Sequence, residues 1–140
     1  MEIELRIDLT QKGLPAMWEE GSGYTNTGHS IIVAGPNGEK LKPVYIRRRG
    51  GLVGVQHALF VIQPGFIVVK AYHHRLDFEI KVMRIKKIDM ESKIAICEVI
   101  HTFDKGEWDI DPPENLIPVI KAAKEKATCY HCRYPVYFIE

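Results

Sequence analysis

Apolar and polar residues alternate strictly over the first nine positions. Ile3, Leu5, Ile7 and Leu9 fall on one side, and Glu2, Glu4, Arg6 and Asp8 on the other. A period of two predicts a half-buried antiparallel strand over Met1–Leu9. Over residues 10–28 no period persists; Gly13-Leu14-Pro15 and the run from Gly21 to Gly28 carry turn chemistry and predict a long polar loop. From His29 the pattern is strand, turn, strand. Ser30–Ala34 is apolar, Pro36-Asn37-Gly38 is hairpin chemistry, and Leu41–Arg48 returns to Gly50-Gly51. Leu52–Ile62, Phe66–Tyr72, Phe78–Ile88 and Ile94–Phe103 read as further strands, separated by Gln63-Pro64-Gly65, a corner at His73–Asp77 and a turn at Asp89–Lys93. Within residues 78–88 the apolar phase slips: Phe78, Ile80 and Val82 share one face, Met83 and Ile85 the other. One extra residue near Val82-Met83, a β-bulge, accounts for the slip and bends the sheet.

The period changes once. Leu116, Val119, Ile120 and Ala123 recur at helical spacing, with Asp111 placed to cap, Pro112 suited to the first turn and Glu114 three residues after the cap. Lys121, Lys124 and Lys126 gather toward the C-terminal end, where the helix dipole favours cations, and Pro118 marks a start or a kink. Tyr134–Ile139 reads as a closing strand. Many strands with short turns, one bend and one late helix predict a β-rich α+β fold. The expectation is a curled antiparallel meander or small β-barrel with one C-terminal helix packed on it or plugging an end. No repeat, low-complexity tract or linker interrupts the pattern, so residues 1–140 are expected to form a single β-barrel-like domain.

Composition narrows the class. With 46% hydrophobic and 26% charged residues the chain is not intrinsically disordered. Apolar runs such as Phe66-Ile67-Val68-Val69 are too short to span a bilayer, so no membrane partner is expected. The acidic–apolar alternation at the N-terminus is unlike a signal segment, and three cysteines are too few and too odd for a disulfide framework. Both features point to a reducing, cytoplasmic setting.

Net charge is only +1, but it is unevenly spread: residues 1–39 carry −4, residues 40–93 carry +8 and residues 94–140 carry −3. The densest cations are Arg47-Arg48-Arg49, before two glycines, with His73, His74 and Arg75 at another corner. If alternate turns of a meander share one end of the sheet, Arg47, Arg48, Arg49, His73 and Arg75 gather at one rim, flanked by Tyr45 and Tyr72. Guanidinium forks beside glycine backbone suit phosphate or carboxylate, and neighbouring aromatic rings suit unstacked bases. The bland alternative is a solvated face whose charges discourage edge-to-edge pairing.

Two further constellations carry chemistry. Cys129-Tyr130-His131-Cys132 supplies two thiols at zinc-knuckle spacing with His131 between them, leaving Cys97 and scattered histidines to complete a Zn site. Its place after a helix rather than before one argues against a redox pair. His57 shares a face with Val53, Val55, Leu59 and Val61, which predicts an inward, core histidine; a barrel-mouth general base is the alternative.

The leading functional expectation is a binding module for an anionic ligand (nucleic acid, a nucleotide or another phosphorylated molecule) through the arginine-rich rim. The first alternative is a metal-dependent or acid–base enzyme with a pocket under the 18–29 loop, drawing on Glu19, Glu20, His57 and His73. The second is an interaction or assembly domain using a strand edge or the helix. Nothing in the motifs decides between enzyme and binder.

Overall fold

The middle strands are apolar on both sides, and the fold covers both. The computed structural model describes residues 1–19, 29–49, 55–74 and 77–127. Among them are ten strands: β1 (Glu2–Arg6), β2 (Asp8–Leu9), β3 (Pro15–Trp18), β4 (His29–Ala34), β5 (Tyr45–Arg49), β6 (Val55–Val61), β7 (Ile67–His74), β8 (Asp77–Asp89), β9 (Ile94–Asp104) and β10 (Glu107–Trp108). A single 3-10 turn (Glu114–Leu116) leads into helix α1 (Ile117–Ala127). The large sheet runs β1-β9-β8-β7-β4 with β10 added to β9, and the small sheet runs β2-β3-β6-β5. Every neighbouring pair is antiparallel. The described residues thus form a curled antiparallel β structure with one helix, α1, toward the C-terminal end. No helix among the described residues is long and apolar enough to cross a membrane.

Two cores lie on opposite faces of the large sheet. On one face Ile67, Val69, Ala71, Ile80 and Val82 meet Leu116, Val119, Ile120 and Ala123, so α1 is packed there by the residues its spacing singles out. On the other face Leu5, Val68, Met83, Ile85 and Cys97 meet Met17 of β3 and Ile62 after β6. Adjacent residues Val82 and Met83 are both fully buried because each faces a different core. The apparent phase slip in β8 is therefore a change of covering layer, and not the extra β8 residue expected at Val82-Met83. Register shifts do fall at Val82/Met83 and again at Ile85/Lys87. At the first, Val82 pairs with His101 and Met83 with Val99, so the extra residue is Ile100 on β9; at the second it is Lys86 on β8.

Several local expectations need correction. The N-terminal alternation is divided between sheets: β1 pairs with β9 and β2 with β3. Ile7 alone joins them, with its N–H donated to the Lys93 carbonyl at 3.0 Å. Residues 15–18 form a strand rather than loop, held on β6 with Met17 opposite Phe60. The helix is not capped by Asp111. Its first turn starts from extended Pro113 with no side-chain cap, and Pro118 sits in the first turn of α1, where the missing N–H is harmless.

A few polar contacts fix the layers. The Ser30 hydroxyl, fully buried, donates to the Ala123 carbonyl at 2.6 Å and ties β4 to the helix. Asn115 Nδ2 donates to the Asn37 carbonyl at 2.8 Å, so the β4–β5 turn docks on the helix entrance. Arg84 donates to the Pro36 and Gly65 carbonyls at 3.2 and 2.9 Å, which makes this central cation a brace between two turns rather than a free charge.

Cys97 lies buried in the core between the sheets, and desolvation pushes its thiol up to about 11. With Cys129 and Cys132 replaced by serine, native protein is expected to leave a disulfide reagent unreacted at neutral pH and to react stoichiometrically in denaturant. Rapid reaction of the native protein would contradict this placement of Cys97.

Candidate functional site

Cross-strand register assembles an aromatic–cation group on the small sheet. Trp18 of β3 and Tyr45 of β5 both pair with Leu59 of β6, so the three share one row and one face. Two residues along β5, Arg47 pairs with His57 on that same face. Met17, one residue before Trp18, points the opposite way into the core against the large sheet. The row therefore stands on the outer face.

Contacts hold this group in order. The Arg47 guanidinium carbon lies 4.7 Å from the centre of the Trp18 ring, a cation–π contact. The Tyr45 ring meets Trp18 edge-on, at 6.0 Å between centres and 84° between planes. The Trp18 indole N–H donates to Asp8 Oδ2 at 3.0 Å, which fixes the ring from the β2 side. Leu59 beneath the row is buried, whereas Tyr45 is 54% exposed. Val44 and Ile46 beside it are also exposed. Among the described residues the ion pairs are Lys81–Glu79, Lys86–Glu2 and Lys126–Glu19, and Arg47 belongs to none of them.

The remaining rim residues are placed differently from the single-rim expectation. Arg48 and Arg49 follow on β5 at the register positions of Gln56 and Val55. His73 and Tyr72 belong to β7 in the other sheet. Tyr72 packs against His29 at 4.7 Å, and His73 meets Phe78 edge-on at 5.2 Å. Phe78 continues to Phe103 and Phe103 to Trp108, so His73 caps a chain of aromatic contacts. Lys124 of α1 lies over Phe78 at 5.2 Å. Arg75, Glu20, Cys129, His131 and Cys132 lie outside the described residues. Among the described residues no three His, Cys, Asp or Glu side chains form a metal-binding group.

His57 shares a face with Leu59 and Val61 as its spacing predicts, but that face is the outer one carrying Trp18, Tyr45 and Arg47. It is half-buried there and is not a core histidine. The alternation was legible; which side of the strand faces the core was not, because that depends on Met17 and Phe60 facing the large sheet.

Glu19 stands apart from both histidines. It follows β3, and its N–H donates to the Ala58 carbonyl at 2.8 Å. Its side chain, 14% exposed, accepts from Val33 N–H and from Lys126 Nζ, each at 3.4 Å. It lines a cavity of about 390 Å³ between β4, the 38–41 segment, Phe60 and α1. Neither His57 nor His73 is among the described residues lining it. Lys40, Phe60 and Lys126 in that lining, and the Trp18–Arg47 contact, were not found from the sequence. The available signal was the apolar Pro15–Trp18 quartet placed directly before a carboxylate.

No family model matches the chain, and neither a curated protein nor a solved structure matches it.

Proposed function

We propose that this chain is a binding module for an anionic ligand, and that the outer face of the small sheet takes single-stranded nucleic acid. The observation that carries the reading is Arg47 seated over Trp18 beside an exposed Tyr45. The indole holds the guanidinium in place, and its planar fork of N–H donors can bind a phosphate through two oxygens. Tyr45 offers a ring on which a base stacks, a contact that tolerates any base. Arg48 and Arg49 extend the cationic run along the same strand, within a segment, residues 40–93, of net charge +8.

The test is fluorescence anisotropy of a labelled single-stranded oligothymidylate titrated with protein at several salt concentrations. Affinity is expected to fall as salt rises. Arg47→Ala is expected to lower the salt slope by about 0.7, the share of one phosphate contact on a single strand. Tyr45→Ala is expected to weaken binding about tenfold, at the level of one lost base stack, with the slope unchanged. Binding indifferent to salt, or unchanged by both substitutions, would refute the proposal.

A further inference from the structure

The cavity beside Glu19 is separate from the outer face of the small sheet and has its own chemistry. Its floor and walls are apolar: Val33 and Phe60 are buried, and Leu41 and Val119 close the sides. At about 390 Å³ it falls within the range of small-molecule sites. Among the described residues, the charged side chains that line it are Glu19, Lys40 and Lys126. Glu19 is already engaged by Lys126 and by the Val33 N–H. Both contacts are 3.4 Å long, well beyond the 2.7–2.9 Å typical of a charge-assisted hydrogen bond. Lys40 is in none of the ion pairs among the described residues. The described part of the lining therefore holds two ammonium groups against one carboxylate, with an apolar interior behind them.

From this arrangement we infer a second binding site, for a small amphipathic carboxylate. Its apolar body lies against Phe60, Leu41 and Val119, and its carboxylate meets the Lys40 ammonium. Lys126 remains with Glu19, which keeps that carboxylate from repelling the incoming one. An apolar body removes water from the pocket, and the charge contact strengthens in the lower dielectric that results. Neutral molecules of the same shape gain only the first of these contributions. Cationic ones meet Lys40 as a like charge.

Octanoate, octanol and octylamine, titrated separately into the full-length protein and followed by amide chemical shifts, test the inference. Octanoate is expected to shift Val33, Leu41 and Val119 saturably. Octanol is expected to bind about tenfold more weakly or less, and Lys40→Glu is expected to weaken octanoate by a similar factor. Ala122→Phe, which puts a ring into the same space, is expected to abolish saturation while the dispersion of the spectrum is retained. Octylamine or octanol binding as well as octanoate would overturn the inference, as would octanoate shifts that miss the cavity or survive Ala122→Phe. The oligothymidylate titration reads the other surface, so failure of either site leaves the other standing.

Discussion

Ile80→Ala and Ile85→Ala are each expected to lower the unfolding free energy by about 2–5 kcal/mol, the usual range for emptying a filled isoleucine site. Ile80 is 2% exposed and belongs to the core under α1, while Ile85 is 1% exposed and belongs to the core between the sheets. Five residues of strand separate them, roughly 17 Å, and no core is shared. The milder Ile80→Val and Ile85→Val changes, about 0.5–1.5 kcal/mol each, are therefore expected to add within about 0.5 kcal/mol when combined. Urea denaturation of the two single variants and the double variant measures this. Strong coupling would mean that the cores are one continuous body, and that the large sheet does not divide them.

Gly38→Ala is expected to be destabilising by about 3 kcal/mol, far more than the addition of one methyl group suggests. Gly38 has φ +83°, where a Cβ adds about 1–2 kcal/mol of strain. A Cβ there would also be driven into the Asn115 backbone carbonyl, and Leu116 Cδ2 lies 3.3 Å away. The carbonyl belongs to the 3-10 turn that opens the helix, so relief requires the β4–β5 turn and the helix entrance to separate. Gly65, at φ +95°, has open space around its would-be Cβ and is the matched control. Gly65→Ala is expected to show the backbone strain alone, about 1–2 kcal/mol. Equal shifts in denaturation midpoint for both glycines would show that close approach to Asn115 contributes nothing.

Elements long enough to display a period were legible in the sequence. The strands around residues 30–34, 67–72, 78–88 and 94–103, and the apolar stripe of the helix, are where alternation and helical spacing put them. β3 and β10, of four and two residues, are too short to show any period, and pairing with β6 and β9 defines them. Strand order was equally hidden, since β4 lies beside β7 and β3 beside β6 through tertiary packing rather than short turns. The same reason explains the candidate site. Arg47 was visible as a cation before glycines, but its ring partner arrives from β3 through an intervening strand. Composition counted Arg84 and Lys86 in the central surplus. The fold directs Arg84 to two turn carbonyls and sets Lys86 2.7 Å from Glu2, whose carboxyl that ammonium holds below the usual range.

Ile7 makes the first nine positions a fixed ruler. Leu5 and Ile7 enter the same core, and the chain passes from one sheet to the other across that single residue. An added or deleted codon there would turn every later side chain of β2 over with respect to β1. Asp8 would then lose its reach to the Trp18 indole. Exchange of one aliphatic residue for another at this point leaves that phase intact, whereas a one-residue change in length inverts it.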